Sequence, residues 1–265
     1  MHKILVPEGK KVYFSSDNHL GAPDAENSLP REKKFVRWLD AVQHDAAAIF
    51  LLGDLFDFWF EYKMVVPKGF VRTLGKLAEL RDKGIPIYFF VGNHDLWMRD
   101  YFETELDIPV YYDSTPFLIN DKKFLIGHGD GKGPNDMGYK RMKKVFTNPL
   151  SKWLFRWLHP DIGVKLGQYF SVKNKLISGE EDHNFLGVDN EWLVQYCKRK
   201  LEETHSHFFI FGHRHLPMKI NIDANSCYVN LGDWINYYTY GVFDGENFEL
   251  DVFESDDKSA IIEHP

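Results

Sequence analysis

Residues 48–59 read AIFLLGDLFDFW. The five apolar residues from Ala48 to Leu52 lead directly into Gly53 and Asp54. A short, continuous apolar run of this kind is typical of a strand that is buried on both faces of a sheet. The stretch therefore predicts a buried strand that ends at a carboxylate.

The same junction between an apolar run and polar residues recurs along the chain. The further junctions are Val12 to Phe14 before Asp17 and His19, Ile87 to Val91 before Asn93 and His94, Phe124 to Ile126 before His128, Phe208 to Phe211 before His213 and His215, and Tyr228 to Leu231 before Asp233. Between the first strands, apolar residues recur at helical spacing within 31–44 and 70–83. This alternation predicts an α/β fold, in which binding sites lie at the carboxyl ends of strands.

The stretch 139–186 departs from this pattern. It has no junction of strand and polar ligand, and lysines and arginines alternate with large apolar residues along it. We interpret it as a helical cap that interrupts a core formed by residues 1–138 and 187–265. Helical spacing alone leaves open whether its aromatic residues form a helix core or an apolar groove. Its cations fit a solvated face, anionic lipid head groups or a diphosphate equally well.

Composition places the chain among folded globular proteins. Of the 265 residues, 44% are apolar and 27% are charged, which excludes disordered and collagen-like chains. The 32 basic and 39 acidic residues give a net charge of −7, which argues against a protein held on nucleic acid by charge. Cys197 and Cys227 form no CxxC pair, so neither a disulfide scaffold nor a thiolate zinc site is indicated.

The sequence carries no pattern of a signal peptide or a membrane span. Residues 1–11 are polar and contain Pro7 and Gly9, and no run approaches the ~18 apolar residues of a span. We therefore expect a cytoplasmic protein in a reducing compartment. Peripheral contact with lipid at the inner membrane stays open, and nothing indicates an obligate protein partner.

The strand ends supply seven oxygen and nitrogen donors and no thiolate. They are Asp17, His19, Asp54, Asn93, His128, His213 and His215. Such donors suit Mn²⁺, Fe or Zn²⁺ better than Ca²⁺ or Mg²⁺ alone, and we expect Mn²⁺ first. Seven donors exceed one tetrahedral site but form two sites of four if one carboxylate bridges. Two ions about 3.5–4 Å apart clamp a phosphoryl group during in-line displacement, which predicts hydrolysis of a phosphate ester or anhydride.

Five motifs resemble those of the calcineurin-like metallophosphoesterase superfamily. They are Asp17-x-His19, Gly53-Asp54-x-x-Asp57, Gly92-Asn93-His94-Asp95, Gly127-His128 and Gly212-His213-x-His215, in the order of that superfamily. The resemblance implies a four-layer α/β/β/α sandwich with a helical cap inserted between the fourth and fifth motifs. It also implies two ions, one held by Asp17, His19, Asp54 and His215, the other by Asp54, Asn93, His128 and His213.

The same resemblance assigns roles beside the metals. His94 would contact the scissile phosphate or protonate the leaving oxygen, and Asp57 and Asp95 would orient imidazole rings in catalysis. Asp57 and Asp95 could also cap helices that follow their strands, which is a common use of aspartate. For Asp130, support of a ligand and simple turn chemistry stay open.

More narrowly, the chain resembles the UDP-2,3-diacylglucosamine pyrophosphatases of lipid A biosynthesis from about residue 12 to residue 254. The resemblance rests on 53–59, GDLFDFW, and on His128-Gly129-Asp130 followed by Asp136-x-Gly138-Tyr139. It implies cleavage of an acylated nucleotide sugar to UMP and 2,3-diacylglucosamine 1-phosphate, with the cap around the acyl chains. The substrate contacts we expect are Asn93, His94, Asp136, Tyr139, Lys173 and Lys175.

One position departs from that narrower group. Well-known members have arginine after the motif asparagine, whereas this chain has His94, as general phosphoesterases do. Arginine clamps a phosphate without titrating, whereas histidine can also give a proton. A phosphodiesterase or phosphatase acting on a smaller soluble phosphoester is therefore the alternative function, and a metal-bound scaffold without activity is a third.

Overall fold

The computed structural model describes residues 1–133, 137–167 (side chains from 140), 169, 184, 185 and 187–264. Within these residues the strands are β1 (His2–Ile4), β2 (Lys11–Ser15), β3 (Ala46–Leu52), β4 (Ile87–Phe90), β5 (Val110–Tyr111), β6 (Thr115–Ile119), β7 (Lys122–Ile126), β8 (Phe208–Phe211), β9 (Pro217–Asp223), β10 (Ser226–Leu231), β11 (Thr239–Phe243), β12 (Phe248–Val252) and β13 (Ile262–His264). The helices are α1 (Ala25–Val42), α2 (Val71–Asp82), α3 (Tyr101–Glu105), α4 (Met137–Thr147), α5 (Pro149–Arg156), α6 (160–167) and α7 (Trp192–Glu203).

The strands form two sheets. The first sheet has the order β12-β11-β2-β3-β4-β5, and the second has the order β1-β6-β7-β8-β10-β9-β13. Strands β2, β3 and β4 run parallel in the first sheet, and β7, β8 and β10 run parallel in the second. The carboxyl ends of these strands, where the polar residues of the predicted junctions begin, therefore lie on the same side of each sheet.

Alternate residues of the central strands face two different layers. In β3, Ile49 and Leu51 pack with the helices α1 and α2, whereas Phe50 and Leu52 face the second sheet. This alternation follows from the two-residue period of a strand, and it makes both faces of the sheet apolar. On the far side of the second sheet, α7 packs through Leu193 and its neighbours. The fold is a four-layer α/β/β/α sandwich, as predicted.

The predicted helix within 31–44 is confirmed with an earlier start. Helix α1 begins at Ala25 rather than at residue 31, because the Asp24 side chain accepts the N–H of Asn27 at 2.9 Å and caps the first turn. Strands β11 and β12 form a hairpin. Asp244 closes its turn by accepting the N–H of Asn247 at 2.7 Å.

Helices α4, α5 and α6 lie between β7 and α7, where the sequence predicts the cap. In α5, Leu150, Trp153 and Leu154 are exposed, whereas Phe155 is half-buried with its ring 4.7 Å from those of Phe60 and Trp97, centroid to centroid. Trp157, just beyond α5, is 75% exposed. The rings of Trp153 and Trp157 therefore lie outside a packed core. Among the helices of the described ranges, none combines the length and the apolar character needed to cross a bilayer.

We expect truncation of Phe50 to destabilise the fold strongly. The Phe50 ring lies between the two sheets, with its centroid 5.0 Å from that of Phe14 and 5.1 Å from that of Phe117. Phe50→Ala should lower the free energy of unfolding by about 3–5 kcal/mol, measured by urea denaturation. The control Leu5→Ala, at an exposed site, should change it by less than about 0.5 kcal/mol. A loss below about 1 kcal/mol for Phe50→Ala would contradict this packing.

Candidate metal centre

The predicted donors come together where the carboxyl ends of the two sheets meet. Asp17 and His19 follow β2, Asp54 follows β3, Asn93 and His94 follow β4, His128 follows β7, and His213 and His215 follow β8. Since the strands within each set are parallel, their ends lie side by side. The convergence follows from strand order, and it brings His19 and His215 together across a sequence separation of 196 residues.

One group of donors consists of Asp17, His19 and His215. Their ligand atoms lie within 4.8 Å of one another. The Nε2 atoms of His19 and His215 are 3.2 Å apart, and His215 Nε2 lies 3.4 Å from Asp17 Oδ1. Two imidazole nitrogens and a carboxylate oxygen therefore point at the same small volume.

A second group joins Asp17, Asp54 and His128, again within 4.8 Å. His128 Nε2 lies 3.4 Å from Asp54 Oδ2 and 3.0 Å from Asn93 Oδ1. The His213 ring lies 5.1 Å from the His128 ring, centroid to centroid. His213 thus flanks this group, although its ring nitrogens are not among the three tightest sets of described donors.

The third tight group is His19, Asp54 and His94. The backbone N–H of His94 donates to Asp54 Oδ1 at 2.8 Å, and His19 Nε2 lies 3.8 Å from Asp54 Oδ2. Asp17, His19 and Asp54 each belong to two of the three groups, so the groups form one continuous cluster of donors.

Hydrogen bonds on the far side of each ring orient His128 and His215. His128 Nδ1 lies 2.8 Å from the Leu52 carbonyl oxygen, and His215 Nδ1 lies 3.2 Å from Asp233 Oδ2. A carbonyl accepts only, so Nδ1 of His128 carries a proton. Both Nε2 atoms are thereby directed toward the centre.

Asp57 has the ring contacts that the resemblance implies. Its Oδ1 lies 3.3 Å from His19 Nδ1, and its carbonyl oxygen lies 2.9 Å from His94 Nδ1. Asp57 is buried, and α2 begins only at Val71. The expectation that it caps a following helix is therefore wrong.

Asp95 differs from both sequence expectations. Its carboxylate accepts the N–H of Gly92 at 2.6 Å and of Leu55 at 3.1 Å, so it holds two ligand loops together and orients no imidazole. Burial and the charge of Asp54 raise the pKa of Asp95 to about 8. It lies in no helix-capping position, since α3 begins at Tyr101. A fully buried side chain held in this way positions the site and does not meet a reacting group.

Backbone strain concentrates at the donors. Five of them adopt left-handed backbone with positive φ, namely Asp17 (53°), His19 (43°), Asp54 (52°), His213 (71°) and His215 (53°). Such conformations cost about 1–3 kcal/mol each in a non-glycine residue and persist only where surrounding contacts impose them. Close approach also demands glycine, since a Cβ on Gly92 would overlap the Asp54 carboxylate.

Burial and neighbouring charges shift the pKa values of three side chains in the site. Burial opposes ionisation of Asp54, but the positive charges of His128 and His94 outweigh it and hold the pKa of this carboxyl well below its ordinary value. Burial alone would lower the pKa of His128, but Asp54 raises it to about 10. Burial and the charge of His128 lower the pKa of His213 to about 3.

The donor set fits divalent cations. Asp17 Oδ1 is buried and has no hydrogen-bond donor among the described residues. A carboxylate oxygen can only accept, so burying it without a donor is costly unless a cation compensates it. The surrounding imidazoles and carboxylates are the ligand types that Mn²⁺, Fe and Zn²⁺ take.

Sequence reasoning missed Asp233. This buried carboxylate holds the His215 ring, and its other oxygen accepts the N–H groups of Ile235 and Asn236. The signal was present, because Gly232 and Asp233 follow an apolar run in the same manner as the ligands.

Five predicted residues in or beside the cap have different outcomes. Asp130 is buried and its Oδ2 accepts from Lys143 Nζ of α4 at 2.5 Å, so it ties the His128 loop to the cap. Burial opposes ionisation of Asp130, but the charges of His128 and Lys143 outweigh it and lower its pKa. Asp136, Lys173, Lys175 and the side chain of Tyr139 lie outside the described residues.

A family model described as calcineurin-like phosphoesterase matches residues 10–217. The chain belongs to the calcineurin-like phosphoesterase family. A UDP-2,3-diacylglucosamine hydrolase from Porphyromonas gingivalis is 37% identical over 257 residues, 92% of this chain and 98% of that protein. A protein of the same name from Histophilus somni is 27% identical over 85% of this chain and 92% of that protein. A solved dimetal phosphatase from Danio rerio aligns with a TM-score of 0.43 at 11% identity, over 94% of this chain and 100% of that one.

Family membership adds chemistry to the geometry. Calcineurin-like phosphoesterases are hydrolases, and this chain has the corresponding clusters of histidine and aspartate at its strand ends. Together they identify a hydrolase with a site for divalent metal.

We expect metal uptake to release protons. Near pH 7.5 the metal-free His128 ring is protonated, because its pKa is raised to about 10, and it must lose a proton to bind metal through Nε2. Titration calorimetry with Mn²⁺ in buffers of different ionisation enthalpy should give a net release of about one proton or more. Affinity should fall as the pH is lowered. His205→Ala, at an exposed histidine, should leave the release unchanged, and a buffer-independent heat in the parent protein would contradict the assignment.

Proposed function

We propose that this chain hydrolyses the pyrophosphate of UDP-2,3-diacylglucosamine to UMP and 2,3-diacylglucosamine 1-phosphate. The observation that carries the proposal is an exposed apolar cap joined to a cluster of metal donors. Two relatives with this activity in their names cover most of the chain and support the choice of substrate. The alternation of exposed rings and cations suits a molecule with two acyl chains and a diphosphate.

In this proposal two divalent ions, Mn²⁺ first, occupy the centre. One is held by Asp17, His19, Asp54 and His215, and the other by Asp54, Asn93, His128 and His213. Asp54 Oδ2 lies 3.8 Å from His19 Nε2 and 3.4 Å from His128 Nε2, one donor of each proposed ion, which supports its place as the bridge. Bound there, the ions would activate water and stabilise the charge that develops on the phosphoryl oxygens.

His94 is the proposed proton donor. Its Nδ1 lies 2.9 Å from the Asp57 carbonyl oxygen, and this contact orients the ring. Water attacks the phosphorus nearer uridine, and the bond from that phosphorus to the oxygen shared with the second phosphate breaks. The shared oxygen leaves on 2,3-diacylglucosamine 1-phosphate, and His94 Nε2 donates a hydrogen bond or a proton to it. Asp95 and Asp57 fix the loops and rings around this step.

The cap supplies the proposed acyl surface. Its exposed apolar residues include Leu150, Trp153, Leu154, Trp157 and Ile162. The contacts that join the cap to the ligand loops include Lys143 with Asp130 and the indole N–H of Trp97 with the Phe146 carbonyl at 2.7 Å. An acyl chain on this face would therefore extend from a substrate whose diphosphate lies at the metals.

The same cap would meet lipid. We propose the boundaries 139–186 for it, with Asp136, Tyr139, Lys173 and Lys175 as substrate contacts. Exposed tryptophans flanked by cations, such as Trp153 beside Lys152, are typical of proteins that touch a bilayer surface. Peripheral contact with the cytoplasmic face of the inner membrane follows as part of the proposal.

A phosphodiesterase or phosphatase acting on a smaller soluble phosphoester is the second candidate. His94 favours it, because the narrower group has arginine at this position. The exposed apolar cap favours the acylated substrate, since a small soluble ester needs no such surface.

Substrate choice should depend on the cap. With Mn²⁺, the protein should release UMP from UDP-2,3-diacylglucosamine, and a chelator should abolish the release. Trp153→Ser combined with Trp157→Ser should lower kcat/KM for this substrate by about tenfold or more and leave turnover of a small phosphodiester unchanged. Leu5→Ser, another exposed apolar site, is the matched control. Turnover of only the small ester by the parent protein would support the second candidate instead.

Replacing His94 should separate chemistry from metal binding. His94→Ala should retain the metal content of the parent protein, measured by elemental analysis, and lower kcat by about 10²–10⁴-fold, because a proton donor is lost. His205→Ala serves as the control. If His94→Ala instead lost metal while its rate per bound metal stayed unchanged, His94 would be a ligand within the group it forms with His19 and Asp54.

A further inference from the structure

Arg214 stands between two proposed ligands, His213 and His215, yet its own side chain is 3% exposed. Its guanidinium pairs with the carboxylate of Glu191, which is 1% exposed. Nε donates to Oε2 at 3.0 Å and Nη2 donates to Oε1 at 2.9 Å. This is a bidentate pair, the geometry in which arginine is most strictly held.

Glu191 is buried at the start of a packed helix. It directly precedes α7, and its carbonyl oxygen accepts the N–H of Gln195 in the first turn. Helix α7 packs on the second sheet through buried Leu193 and Cys197. The pair with Arg214 therefore ties the ligand loop to a helix that is packed on the core.

Arg214 also reaches the segment that we propose as the cap. Its Nη2 donates to the Asn184 carbonyl oxygen at 2.9 Å. One guanidinium thus links three parts of the chain, namely the loop with His213 and His215, the start of α7, and the described part of the cap at Asn184.

The loop needs such a support. His213 and His215 both adopt left-handed backbone, and the N–H of Arg214 donates to the Gly212 carbonyl at 2.9 Å within the same tight turn. Strained backbone of this kind persists only when side-chain contacts impose it. Arg214 is at the centre of the turn. Its side chain points toward the start of α7 and away from the donor cluster.

We propose that Arg214 is a positioning residue that holds His213 and His215 in their ligating geometry through Glu191 and joins this loop to the cap through Asn184. The proposal rests on the metal ligands and the acylated substrate proposed above. The Glu191 contact sets metal affinity, and the Asn184 contact sets how well the cap accepts the acylated substrate.

The test uses two substitutions and a matched control in the full chain. Arg214→Met removes both contacts, whereas Arg214→Lys keeps a positive charge beside Glu191 but lacks Nη2, the atom that donates to Asn184 and to Glu191 Oε1. Lys76→Met is the control, because Lys76 is also buried and pairs with Asp40 and Glu79, within helices α1 and α2. Each variant is measured for Tm, for Mn²⁺ affinity by calorimetry, and for KM and kcat.

For Arg214→Met we expect Mn²⁺ affinity to fall by about 10–100-fold, the effect typical of losing a group that orients ligands. Lys76→Met should lower Tm without changing Mn²⁺ affinity. Arg214→Lys should recover Mn²⁺ affinity to within about threefold, and it should raise KM for the acylated substrate about tenfold at saturating metal, with KM for the small ester unchanged.

Two results would overturn the assignment. Parental Mn²⁺ affinity in Arg214→Met, with Tm lowered as in Lys76→Met, would make the pair a purely structural contact. An unchanged KM for the acylated substrate in Arg214→Lys would remove the link to the cap, and this variant decides that point even if Arg214→Met does not fold. Failure of the parent protein to release UMP would defeat the proposed substrate but leave the Mn²⁺ result standing.

Discussion

Two carboxylates, Asp17 and Asp54, are buried with ligand oxygens within 4.8 Å of each other. Two negative charges at this distance in a water-poor site repel each other and lose their hydration, so they need positive charge beside them. The imidazolium of His128 supplies part of it, and Asp54 in turn raises the pKa of His128 to about 10. Divalent cations would supply more positive charge than protons can. The need to neutralise the two buried carboxylates therefore explains why the centre consists of metal-ligand side chains.

Hydrogen bonds between the ligand loops join the two sheets. Asp17 Oδ2 accepts the N–H of His213 at 2.9 Å, its carbonyl accepts the N–H of Trp234 at 3.1 Å, and His128 reaches across to the Leu52 carbonyl at 2.8 Å. The edge of one sheet is thereby fixed against the edge of the other. Farther from the site, the apolar layer between the sheets keeps them in the same relative position. The strained backbone at the donors persists because the surrounding hydrogen bonds and packing impose its conformation.

The clustering of the donors could be predicted from the sequence because its signal is local. Each donor follows a continuous apolar run, and parallel strands bring such ends together without further information, as Asp54 illustrates. The partners of Asp95 and Asp233 were beyond sequence reasoning. Whether a buried carboxylate receives an imidazole, a backbone N–H or a helix terminus depends on which loop packs beside it. The exposure of the cap rings was equally undetermined, since helical spacing is the same for a core and for a groove.

The central claim is that one bridging carboxylate holds two divalent ions. Its most direct test is the number of Mn²⁺ ions bound per chain, measured by elemental analysis of the parent protein and of Asp54→Ala beside the exposed control Asp121→Ala. If Asp54 is the bridge, the parent and control proteins should bind two ions per chain. Asp54→Ala should lose metal together with activity. A parent protein that binds a single ion, or an Asp54→Ala variant that keeps two ions and full turnover, would contradict it.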